Sequence, residues 1–123
     1  MRTAIICGAL ALAASTASAQ KGFNSAKAVM PGCKATLSEG PKRWSGLYAQ
    51  QWRYCFETLS ALVFMSVDAA KGSRLCLDLP KGVTYQQAAR AVVRYIEERP
   101  QRMHEGFIAL ATEALRDAWP CRK

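Results

Sequence analysis

One histidine, His104, stands in a chain of 123 residues. Hydrolysis by an activated Ser or Cys needs a base beside the nucleophile and a group that orients the base. No G-x-S-x-G accompanies His104, which falls near the start of a helical pattern and reads as a surface residue. There is no C-x-x-C pair, and the spacings along Cys33, Cys55, Cys76 and Cys121 are 22, 21 and 45. Those spacings fit no zinc site. Gly72, Gly82 and Gly106 stand singly, so nothing cradles a phosphate. Adjacent helical residues point about 100° apart, so Glu97-Glu98 reads as a solvated face rather than a carboxylate pair. Strand-like alternation, internal repeats and low-complexity tracts are missing too. These absences argue against an enzyme, a cofactor or a metal, and for a protein that acts through its surface.

What is present begins at the N-terminus. Arg2 precedes an apolar run from Ala4 to Ala14, and Ala17-Ser18-Ala19 supplies a small-x-small ending. These are the three parts of a cleavable secretion signal, with cleavage expected after Ala19. The run is too short to cross a bilayer, which takes about 20 apolar residues, and no later run reaches that length. Residues 1–19 therefore read as a signal peptide, 20–32 as a polar, flexible leader, and 33–123 as a single domain. The expected destination is the periplasm. Removing Arg2 from the 17 Lys and Arg leaves 16 cations against 9 acids, a net of +7.

Four cysteines in a small exported chain predict two disulfides. Three pairings are possible. Helix lengths place Cys33 and Cys55 at one end of an up-down-up bundle, and Cys76 and Cys121 at the other. That favours Cys33–Cys55 and Cys76–Cys121.

The fold class is all-α: three main helices and a short N-terminal one within Cys33 to Glu39, closed by Gly40-Pro41. From about Ser45 to Ala70, Tyr48, Trp52, Cys55, Phe56, Leu59, Leu62, Val63 and Val67 recur at i, i+3, i+4, i+7. The half from Leu59 to Ala70 is apolar on nearly every side, so it is either surrounded or meets a partner subunit. Thr84 and Gln87 form a capping box ahead of a helix that buries Tyr85, Ala88, Ala89, Val92, Tyr95 and Ile96. Pro100 ends it. A last helix, about Gln101 to Trp119, carries the stripe Met103, Phe107, Leu110, Ala111, Ala114, Leu115 and Ala118.

Trp44, Tyr48, Trp52, Arg53 and Tyr54 cluster aromatic and basic character. Such residues are enriched at interface hot spots, although Tyr48 and Trp52 equally suit a core. Trp44, ahead of the helix, and Arg53 are the exposed candidates. The other positive charge is spread out, which disfavours a nucleic-acid partner. An acidic protein or an anionic envelope surface fits better, with charge raising the association rate. Two loops, Lys71–Leu79 and Arg99–Glu105, carry charge between helices and add Lys71, Arg74, Arg99, Arg102 and His104 as partner-binding candidates.

The stretches Cys76–Thr84 (CLDLPKGVT), Val92–Pro100 (VVRYIEERP) and Ala114–Cys121 (ALRDAWPC), with Cys55 at the start of the central helix, resemble the Rap/Tai family of type VI secretion immunity proteins. The resemblance spans about Tyr54 to Cys121. Three residues separate Cys76 from Pro80 where the family pattern has one, and Glu57 occupies a place usually held by a small residue. The resemblance implies a small helical periplasmic protein, often a homodimer, that occludes the active site of a peptidoglycan amidase. A different reading for a similar fold is a periplasmic stress chaperone or another envelope binding protein.

Overall fold

The computed structural model describes residues 24–39, 46–68, 77 and 79–120. Four α-helices make the body: α1 (Ala26–Glu39), α2 (Gly46–Asp68), α3 (Tyr85–Glu97) and α4 (Phe107–Ala118). A short 3-10 turn, Pro100–Arg102, lies between α3 and α4. The fold is all-α, as its helical periodicities require. α1 packs chiefly on α2, and α3 on α4, with α1 also lying against α3. One core joins them: Val29, Met30 and Cys33 of α1, Cys55, Leu59 and Leu62 of α2, Ala89, Val92 and Ile96 of α3, and Phe107, Leu110 and Leu115 of α4. Leu77 and Leu79, which lead toward α3, are buried in the same cluster.

The first helix corrects the sequence reading. It starts at Ala26, inside the expected leader of residues 20–32, and its 14 residues make it slightly longer than α3 and α4, with 13 and 12. Pro31 and Gly32, both assigned to that leader, lie within the helix. Pro31 lacks the N–H that would reach the Lys27 carbonyl, a loss that propensity alone would not tolerate. Tertiary contacts override it. Gly32 is buried, and a Cβ there would collide with the Gln51 carbonyl carbon and the Trp52 nitrogen. Glycine is therefore what lets the α1 and α2 backbones meet. The Cys33–Cys55 disulfide closes one residue further on, with Cα atoms 5.6 Å apart. This is the expected pairing. The second expected bridge, Cys76–Cys121, lies outside the described residues.

The start of α1 is finished by the far end of the chain. Ala26 N donates to Glu105 O at 2.8 Å and Lys27 N to Met103 O at 2.9 Å, while Phe107 N donates to Asn24 O at 2.8 Å. Ser25 and Gly106 form an antiparallel bridge, and the Ser25 hydroxyl accepts from Ala28 N at 3.3 Å. Helix N-termini leave several backbone donors unpaired; here a loop 80 residues away supplies acceptors for two of them.

α3 follows its sequence signal closely. Thr84 Oγ1 accepts from Gln87 N at 3.2 Å, and Gln87 Oε1 accepts from Thr84 N at 2.9 Å. Just upstream, Gly82 adopts φ +88° in the turn closed by Val83 N to Pro80 O. Only glycine takes that conformation without strain. The last helix differs from expectation. It begins at Phe107 rather than near Gln101, because the backbone of residues 103–107 is occupied with α1.

Candidate protein-interaction surface

α2 is about 34 Å long at 1.5 Å per residue, and the other helices cover only part of it. Cys55, Leu59 and Leu62 are buried. Phe64 is 69% exposed, Leu47 61% and Met65 41%, and Tyr48 and Phe56 are also exposed. The stretch from Leu59 onward is thus buried on one side, at Leu59 and Leu62, and exposed on the other, at Phe64 and Met65. Tyr48 and Phe56 are not core residues as the periodicity predicted. Phe56 instead stacks on Trp52 at 5.4 Å and meets Tyr85 at 4.9 Å, an aromatic ledge at the rim of the core. Tyr54 reaches Phe107 at 6.2 Å. Arg53 and Glu57 are exposed on the same helix. Ile108, 51% exposed on α4, is a further apolar side chain facing solvent.

The predicted site residues divide into three groups. Trp44, Lys71 and Arg74 lie outside the described residues. Arg53 projects from α2. Arg99, Arg102 and His104 come together in the turn between α3 and α4, and of these three only His104 is exposed. Arg102 is not a free cation. Its Nε and Nη2 donate to the two Glu105 oxygens at 2.7 Å each, and its Nη1 and Nη2 donate to the Glu113 carboxylate at 2.7 and 3.1 Å. Tyr95 donates its hydroxyl to Glu113 at 3.1 Å. The Arg99 guanidinium lies 3.7 Å from the Tyr95 ring centroid and donates to the Tyr95 carbonyl at 2.9 Å. The hydrogen bonds from Arg102 hold the Glu105 and Glu113 carboxyls below the ordinary carboxylate range, and the same bonds raise Arg102. Sequence spacing gave a faint signal for part of this: Arg102 and Glu105 are three residues apart. Glu113 and Tyr95 gave none, since they meet Arg102 only after the helices pack.

Behind α2, burial raises the Tyr85 hydroxyl, which is also hydrogen-bonded with Thr36. It points at Cys55 Sγ, 3.7 Å away. The disulfide is thus enclosed by protein, both cysteines being fully buried. Among the described residues no group of three or more His, Cys, Asp or Glu could hold a metal ion, and no helix is long and apolar enough to cross a membrane. What the surface offers is exposed apolar and aromatic side chains on a stapled helix and, between α3 and α4, a turn fixed by charge.

No curated protein and no solved structure matches the chain. The family model of the Rap1a immunity proteins matches residues 25–121, beginning at the Ser25 that caps α1 and running past the end of α4. A match over that much of the sequence settles the relationship: the chain belongs to the Rap1a immunity protein family.

Proposed function

We propose that this chain is an exported immunity protein that binds and inhibits a peptidoglycan-cleaving amidase delivered by a type VI secretion system. The family match over residues 25–121 carries the reading. The signal-like residues 1–19 support action in the periplasm, where such an amidase would meet its substrate. The chain acts as a binding body, not as an enzyme. A rigid inhibitor gives up little conformational freedom on binding, and the Cys33–Cys55 bridge between α1 and α2 supplies part of that rigidity.

Two surfaces share the work in this reading. The turn Arg99–Glu105 enters or covers the active-site groove, presenting His104, Pro100 and Gln101, while Arg102 fixes its shape from behind. The outer face of α2, with Leu47, Phe64 and Met65, joins a second copy of the chain, and Arg53 lies beside it. Aromatic, Met and Arg side chains are the types enriched at such contacts.

The test is protection. Cells exporting an amidase of this class to the periplasm lyse; co-export of this chain should restore growth, and the purified proteins should bind with saturable stoichiometry in calorimetry. Failure to rescue or bind the amidases encoded beside its gene would remove the proposal. In gel filtration, Phe64→Asp should shift a dimer to a monomer with unchanged far-UV circular dichroism. A monomeric wild type would remove the dimer.

A further inference from the structure

The charge network of the α3–α4 turn has a second connection, through its backbone. Arg102 binds Glu105 and Glu113 with both ends of its guanidinium. Glu105 O and Met103 O, within the same turn, accept from Ala26 N and Lys27 N at the head of α1. The side chains that fix the turn and the carbonyls that finish α1 therefore share one short segment. Ala26, Val29 and Met30, just beyond, are buried in the core. Anything that loosens the turn loosens the docking of those three.

We propose that the Arg102–Glu105–Glu113 network is an acid-labile latch that holds the first turn of α1 in place and releases residues 24–30 when its two carboxylates are neutralised. The groups around those carboxylates are Arg102 from the turn, Arg99 from the end of α3, His104 beside Glu105, and the Tyr95 hydroxyl from α3. Apart from the two acids these are two guanidinium groups, an imidazole and a phenol. Neutralising the carboxylates thus removes the attraction that holds Arg102, while Arg99 keeps Glu98 at 3.8 Å and the Tyr95 carbonyl at 2.9 Å. Release is local, because the Cys33–Cys55 bridge still ties the second half of α1 to α2.

The direction with pH follows from the hydrogen bonds. Both carboxyls sit below the ordinary range in the folded chain. Their contribution is complete above the unfolded value, about 4.3, and is lost as pH falls through the lower folded values. The network side chains are 29–40% exposed, so salt weakens the latch as well.

Amide hydrogen exchange on the folded, oxidised chain decides the matter, read as protection factors at Ala26, Lys27 and Phe107 against Val92 and Leu115, which lie inside α3 and α4 away from the turn. In wild type the first three should lose protection below about pH 4 while the core pair keeps it, and 1 M salt should move that loss to higher pH. In Glu113→Gln the same three should fall by about tenfold already at pH 7, a loss on the scale of one charge-assisted bond, with the core pair unchanged. Two results overturn the latch: protection at Ala26 and Lys27 that is indifferent to both Glu113→Gln and acid, or simultaneous loss at all five amides, which would mean global unfolding. The wild-type acid and salt series stands alone should the variant not fold. Neither arm involves a partner protein, so the outcome is independent of the proposed function.

Discussion

At the scale of single residues, Gly32 carries the sharpest steric constraint among the described glycines. Backbone atoms of α2 occupy the place where a Cβ would go, and backbone cannot swing aside as a side chain can. Gly32→Ala should destabilise the chain by about 2–3 kcal/mol, the usual cost of overpacking, read as a shift of the urea midpoint. An unchanged midpoint would mean that α1 and α2 can separate without loss. The neighbouring cysteines act through the unfolded chain. In the loop-entropy model, closing the 22-residue interval from Cys33 to Cys55 stabilises by about 3 kcal/mol. Replacing both by serine should remove about that much. Phe107, fully buried where α4 meets the core, should cost about 3–5 kcal/mol when cut to alanine. Sequence pointed to the cysteines and to Phe107, because thiol parity and the i, i+3, i+4 stripe are local properties of the chain. It left Gly32 unnoticed at the end of the expected leader, because a glycine at a close approach carries no local mark until the second helix is in place.

At the scale of elements, α3 was the most legible, since its start is written in Thr84 and Gln87 and its end in Pro100. Thr84→Ala should cost about 1 kcal/mol, measured by thermal unfolding. α1 and α4 were less legible, for a shared reason. Their N-terminal ends are set by hydrogen bonds to each other's flanking segments, Asn24–Lys27 and Met103–Phe107, and a contact across 80 residues leaves no period to read. In α2 the pattern fixed the helix but not its surroundings. An apolar half fits a buried helix and a partnered one equally. Only the exposure of Phe64 and Met65 separates them. If that face joins a partner, Phe64→Asp should weaken the association by at least tenfold, about 1.4 kcal/mol, without lowering the midpoint of monomer unfolding. Loss of folding instead would mean that Phe64 supports the core.

At the scale of the whole molecule, the charge excess and the cysteine count were legible from composition alone, and the surface that uses them was not. Of the cations named from sequence, Arg102 is committed to two carboxylates and Arg99 lies against Tyr95, so charge listed along a chain overstates what is available to a partner. The remaining cysteines give a further expectation. If Cys76 pairs with Cys121, the exported chain denatured without reductant should titrate no free thiol, and a peptide joining the two should appear in a non-reducing digest. Two free thiols per chain would leave Cys33–Cys55 as the single staple.

The tie between Asn24–Lys27 and Met103–Phe107 also sets an order of events. Synthesis runs from the amino end, so α1 is made before the other three described helices and completed after them: its capping carbonyls do not exist until some 80 further residues have followed. Until then its apolar side rests on α2 and, once that helix is made, on α3. A truncation within the last quarter of the chain would therefore do its damage at the opposite terminus.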